Sequence, residues 1–207
     1  VRQLLAAGWT VRALKRGEIQ PARGDGIAWL RGDALSRTDV MAAAKGCAVI
    51  VHAVNPPGYR QWGQLVLPML DNTIAAAIAG NATIVLPGTV YNFGPDVFPA
   101  AGNVLAEDAP QRPLTRKGAI RVELEARLQR ASTQGAKVII VRAGDFFGPR
   151  AGNNWFSQGL VKPGQPVREV LYPGAPGIGH QWSYLPDVAR TMLQLLAVRA
   201  TLPAFAR

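Results

Sequence analysis

The sequence is short of several residues whose presence would open particular chemistries. Cys47 is the one cysteine among 207 residues, so an intrachain disulfide framework is excluded and a thiolate metal cluster has no material. It sits in the apolar run CAVIVHAV, where a thiol behaves as a small buried hydrophobe, and a reducing compartment such as the cytoplasm is expected. Histidine occurs only at His52 and His180, and no metal site is expected. No apolar run approaches the roughly 18 residues needed to cross a bilayer, so a membrane is not an expected partner. Acidic residues number 13 against 23 lysines and arginines, a net charge of +10. The excess is mostly arginine scattered along the chain, with no basic block interleaved with aromatics; a solvated basic surface is the plain reading, and nucleic acid is not an expected partner. The opening VRQLLAAGWTVRAL also lacks an initiator methionine and a charged leader with an apolar stretch behind it. It reads as the last turns of a helix, and a preceding segment is expected.

Short apolar runs alternating with helical stretches fill most of the sequence. TVRAL (10–14), IAWL (27–30), AVIVHAV (48–54), ATIVLP (82–87) and KVIIVRAG (137–144) are rich in Val and Ile without polar alternation, as strands buried on both faces are. Between them, DALSRTDVMAAAKG offers Ser36 as an N-cap and Gly46 as a stop. LVLPMLDNTIAAAIAGN carries Pro68, which should bend or delay its helix. RKGAIRVELEARLQRAS is amphipathic throughout. Strand–helix alternation predicts an α/β fold, a doubly wound parallel sheet with right-handed crossovers.

Past Pro149 the texture changes to Gly, Pro, Asn and Trp in WFSQGLVKPGQPV and LYPGAPGIGHQW, before a last helical stretch at DVARTMLQLLAV. Residues 1–149 thus read as one doubly wound layer, and residues 150–207 as a region that covers its site and does not fold independently. In such a sheet the ligand lies beyond the carboxyl ends of the strands.

Six segments in order resemble the extended short-chain dehydrogenase/reductase family, also called the NAD-dependent epimerase/dehydratase family. LLAAGWTVRALKR is similar to that family's first helix and second strand, WLRGDALS to its third strand and Gly-Asp, and VIVHAVNPP to its fourth strand and following loop. IVLPGTVYNFGPD resembles the fifth strand with its Val-Tyr-Gly turn, VIIVRAGDFFGP the stretch after the sixth, and HQWSYLPDVARTMLQLL the late motif ending in Asp-Val-Ala. The resemblance implies that residues 1–149 are a Rossmann-like dinucleotide-binding domain and that residues 150–207 cover the substrate, with a first strand and Gly-rich pyrophosphate turn upstream of Val1 and a substrate region continuing beyond Arg207. It also implies an NAD(P) cofactor, a small polar or sugar-derived substrate, and helices that pair two subunits in many members, leaving a homodimer open.

NAD-preferring relatives carry an acid at the end of the second strand, where this chain has Lys15 and Arg16. Two cations suit a 2'-phosphate, so NADP is favoured over NAD. The resemblance places Asp33 at the adenine, Ala53, Val54 and Pro87 along the cofactor, and the stretch from Arg142 to Phe147, with Arg142, Gly144 and Phe146, toward the nicotinamide. Asn55, Tyr91, Asn92, Trp155, His180 and Trp182 are expected to line the substrate space, while His52 reads as a packed strand residue.

The family's acid/base group is Tyr-x-x-x-Lys, with a Ser or Thr after the fifth strand. Aligned on its glycine and glutamate, that helix puts Lys117 at the Tyr and Arg121 at the Lys; the Ser position falls on Pro87, with Thr89 the nearest hydroxyl. Lysine is a poor acid at neutral pH unless burial and a neighbouring cation, here Arg121, help it release its proton. Arg121 keeps a planar fork for ribose hydroxyls. Like charges four residues apart on a helix repel unless an anion lies between them, and a dinucleotide is such an anion. Two readings remain open: an oxidoreductase or epimerase with rearranged acid/base groups, catalysed through Lys117, Arg121 and Thr89 or with a role for Tyr91, and a non-catalytic NADP-binding sensor.

Overall fold

The sequence folds as a parallel α/β layer. The computed structural model describes residues 1–19, 24–56, 61–97, 104–149, 154, 156–162, 164–172, 174–175, 177 and 179–207. In chain order the elements are α1 (Arg2–Ala6), β1 (Val11–Lys15), β2 (Ile27–Arg31), α2 (Arg37–Ala44), β3 (Val49–Val51), α3 (Trp62–Gly80) and β4 (Thr83–Thr89). There follow α4 (Arg116–Ser132), β5 (Lys137–Ala143), β6 (Asp145–Phe147), β7 (Trp182–Tyr184), α5 (Leu185–Ala197) and β8 (Phe205–Ala206). Every strand pairing among the described residues is parallel: β1 with β2, the run β3-β4-β5-β8, and β6 with β7.

The doubly buried runs occupy the middle, as their lack of polar alternation demands. Thr83 lies opposite Lys137 and Thr89 opposite Ala143, so β4 and β5 pair over their whole length. Successive side chains leave opposite faces of a strand, and two cores result. Ile84, Leu86, Val138 and Ile140 meet Trp62, Val66, Leu70, Leu124 and Leu128 of α3 and α4. Val85, Ile139 and Val141 point the other way, onto Leu196 of α5 with Leu4, Trp9 and Met192 around it. Each buried Leu contributes about 1.5–3 kcal/mol.

Helix α2 begins where Ser36 Oγ accepts the Asp39 N–H at 3.2 Å, and Gly46 turns the chain away at φ +71°. Thr115 caps α4 by accepting the Gly118 N–H at 3.0 Å. Helix α3 starts at Trp62 and runs through Pro68, so the proline does not delay it. Pro68 and Gln64 are both exposed, and the Gln64 carbonyl that loses an intrahelical donor can bond to water. Strand β3 is shorter than its apolar run predicts, because after His52 donates its N–H to the Val85 carbonyl the chain turns on itself, Ala53 N–H meeting the Val51 carbonyl.

Candidate functional site

Parallel strands present their carboxyl ends at one edge, and the polar side chains of interest gather there. At the ends of β1 and β2, the Arg16 guanidinium lies 3.7 Å from the Asp33 carboxylate. Asp33 Oδ1 accepts the Leu35 N–H, and the Asp33 N–H goes to Asp39 of α2. Lys15 is exposed beside them. Beyond β3, Ala53 and Val54 are exposed as an apolar ledge, and Asn55 Oδ1 accepts the Trp62 indole N–H at 2.7 Å. That bond ties the loop to the start of α3.

The predicted pair on α4 faces aromatic rings. Lys117 Nζ lies 4.4 Å from the Tyr91 ring centroid and the Arg121 guanidinium 5.1 Å from that of Trp62, distances at which a cation is attracted by the ring. Gly118 makes this approach feasible, since a Cβ there would fall 2.3 Å from the Tyr91 carbonyl oxygen. Beneath Arg121, burial and that residue's charge hold the His52 imidazole down at about 4. His52 is packed, as its strand setting predicts. Its Nδ1 meets Thr73 Oγ1 at 2.8 Å, and Thr73 donates its own hydrogen to the Met69 carbonyl, so His52 Nδ1 is the donor.

Three of the predicted residues are turned to structural work. Asn92 is fully buried and donates to Gln111 Oε1, so it does not line an open substrate space. Arg142 forms a two-pronged pair with Glu125, 2.8 Å on each arm, and also donates to the Thr89 carbonyl. Gln111 completes that network on Glu125. A guanidinium so committed braces β5 against α4 instead of reaching toward a cofactor. Thr89 Oγ1 accepts the Tyr91 N–H at 2.9 Å, closing the turn. Pro87 stands in β4 beyond the last residue that β3 pairs, where its missing N–H costs no ladder bond.

At the ends of β4 and β5 a polar cluster forms around Asp145, which lies in the stretch expected near the nicotinamide but has no role of its own in the sequence reading. The Tyr91 hydroxyl donates to Asp145 Oδ1 at 3.2 Å, and His180 Nε2 meets Asp145 Oδ2 at 2.8 Å. Trp182 packs against His180 at 4.5 Å and edge-on to Phe156 at 5.4 Å. Gly144 lets β6 and β7 close, because a Cβ there would fall 2.1 Å from the Gln181 carbonyl oxygen. Phe146 sits opposite Ser183 in that pair. Trp155 lies outside the described residues. Groups of three or more His, Cys, Asp or Glu that would hold a metal ion do not occur among the described residues, and no helix there is long and apolar enough to cross a membrane.

No protein-family profile matches the chain, and no curated protein matches its sequence. Solved structures do match. MoeE5 in complex with UDP-glucose and NAD superposes with a TM-score of 0.73 at 20% identity, over 96% of this chain and 67% of that one. The chain has the fold of the extended short-chain dehydrogenases/reductases. UDP-glucose 4-epimerase of Thermus thermophilus in complex with NAD matches at 0.70 and 21% identity, over 94% and 69%. Uronate dehydrogenase of Agrobacterium tumefaciens complexed with NAD matches at 0.66 and 21%, over 95% and 66%. The chain spans about two thirds of the length of these structures. Within this dehydrogenase/reductase fold the residues present suit a dinucleotide. An exposed apolar ledge at Ala53 and Val54 offers packing for a flat ring, and the cations Lys15 and Arg16 offer partners for phosphate.

Proposed function

We propose that the protein is an NAD(P)-dependent oxidoreductase or epimerase of the extended short-chain type, acting on a small polar or sugar-derived substrate. The observation that carries this reading is the convergence of Lys117, Arg121, Tyr91, Asp145 and His180 beyond the carboxyl ends of parallel strands, the edge at which such sheets bind ligands. The presence of NAD in the similar structures supports it.

A bound nicotinamide supplies a hydride donor or acceptor. The chain's own residues do the rest. Lys15 and Arg16 favour NADP, since β1 ends on two cations, partners for a 2'-phosphate, where NAD-preferring relatives carry an acid. The half-buried Asp33 carboxylate, 3.7 Å from Arg16, offsets part of that charge, while Arg16 and Lys15 remain exposed. Arg121 is suited to ribose hydroxyls, and Lys117 stands at the usual Tyr position as a cation that can donate a proton toward a substrate oxygen. The Thr89 hydroxyl, within the same turn as Tyr91, is the nearest to the usual Ser position.

Titrating the full-length protein with NADPH and NADH, followed by tryptophan fluorescence, tests the cofactor. NADPH should bind more tightly, and Arg16→Glu should abolish the difference. Binding of neither would sink the reading, and equal affinities would remove the NADP preference. With a carbonyl substrate, Lys117→Ala should abolish NADPH oxidation. Tight binding without turnover on any carbonyl would mark a dinucleotide sensor.

A further inference from the structure

One buried carboxylate holds both sides of the turn that carries Tyr91. Glu125 takes the two arms of Arg142, and Arg142 also donates to the Thr89 carbonyl. Glu125 Oε2 accepts from Gln111 Nε2 at 2.6 Å, and Gln111 Oε1 accepts from Asn92 Nδ2 at 3.1 Å. Tyr91 lies between Thr89 and Asn92, so its backbone is tied on either side to one side chain of α4, the helix that also carries Lys117. Two close backbone approaches join the same segments. A Cβ at Gly94 would fall 2.5 Å from the Arg112 carbonyl oxygen, and one at Gly118 would fall 2.3 Å from that of Tyr91.

The chemistry leaves each amide one orientation. A guanidinium only donates and an ionised carboxylate only accepts, so Gln111 must turn its N–H to Glu125 and its carbonyl to Asn92. Asn92 Oδ1 has no hydrogen-bond partner among the described residues, yet turning that amide over would set its oxygen against the Gln111 oxygen and lose the bond. We propose, on the reading of Lys117 and Tyr91 as site residues, that Gln111 is a positioning residue. Through Asn92 and Glu125 it sets the turn so that the Tyr91 ring centroid stands 4.4 Å from the Lys117 ammonium nitrogen. Gln111 is half-buried and stands outside both apolar cores, so what it holds is the turn and not the sheet.

The test follows the ε-methylene proton resonance of Lys117 by NMR in full-length protein carrying isotope-labelled lysine, assigned by its loss in Lys117→Arg. Protons above an aromatic ring feel its ring current, so this resonance should lie upfield of solvated lysines and move back among them in Tyr91→Leu. Gln111→Met keeps the side-chain length and removes both bonds; it should carry the resonance most of the way to its Tyr91→Leu position. Gln111→Glu keeps the acceptor for Asn92 but sets a second carboxylate beside Glu125, where Arg142, Asp108 and Arg207 are the other charged groups. Two carboxylates sharing a site retain a proton, which replaces the missing donor, so the resonance should be displaced at about pH 8 and near its wild-type place at about pH 5. Urea midpoints of the same variants separate positioning from stability. A glutamine with only a structural role would lower the midpoint and leave the resonance of the folded protein in place. The proposal is overturned if Tyr91→Leu does not move the wild-type resonance, if Gln111→Met leaves it unmoved, or, should that variant not fold, if Gln111→Glu gives one position at both pH values. No ligand enters this measurement, so failure of the dinucleotide titration would sink the oxidoreductase reading alone, and an unmoved resonance the positioning role alone.

Discussion

The His52 imidazole is buried against Thr73 and held to about 4, by burial first and by the Arg121 charge second. In the unfolded chain a histidine titrates near 6.5. Above that value neither state binds the proton, and His52 adds no pH dependence. Between about 6.5 and 4 the unfolded chain takes up a proton that the folded protein refuses, so stability falls as pH drops through that window, by on the order of 3 kcal/mol. Urea unfolding at pH 7.5 and pH 5 should reveal the fall, and His52→Gln should flatten it. A second residue-scale prediction concerns Glu125, whose side chain is 4% exposed where it grips Arg142. Glu125→Ala would leave the half-buried Arg142 guanidinium, 18% exposed, without its counter-charge, at a cost of about 3 kcal/mol, the lower end for a broken buried pair. A shift of the urea midpoint at constant slope would measure it.

At the scale of elements, α4 depends on a residue with no side chain. Alanine is the better helix former by about 1 kcal/mol, yet Gly118→Ala should destabilise the protein by about 1–3 kcal/mol, because the added Cβ meets the Tyr91 carbonyl oxygen. Thermal melts followed by circular dichroism would check the sign; a gain in melting temperature would contradict the close approach. The helix itself was legible from its apolar spacing, and so were β4 and β5, whose Val and Ile runs need two covered faces. Ser36 and Gly46 announced the ends of α2 by their chemistry. The polar contacts were not legible. Asp145 and His180 are 35 positions apart, and no local periodicity links a strand-end acid to a histidine in an irregular segment. Asn92 shows the reverse error: a polar residue in a turn reads as exposed, whereas this one is drawn inward by Gln111, itself held by Glu125. The short β6–β7 pair and β8 carry too few residues for a pattern to register.

For the whole molecule, ligand binding and folding are linked. If NADPH binds only the folded chain, a concentration about a hundredfold above its Kd should stabilise the protein by about 2.7 kcal/mol. Calorimetric melts with rising NADPH would display this as a climbing transition, and NADH at equal concentration should lift it less. The sheet adds a kinetic consequence. Its pairings bring together Val49 with Thr83, Thr83 with Lys137, and Val138 with Phe205, and none of them can be closed by a tight turn. Each requires a long stretch of chain to be ordered before the contact that rewards it. Refolding from urea should therefore be slow beside that of a helical bundle of equal length. Helical circular dichroism should recover before the near-ultraviolet signal of Trp62 and Trp9, which report the two cores on either side of β4 and β5. During that interval the unpaired Val and Ile runs are open to other chains, so the yield of refolded protein should fall as its concentration rises.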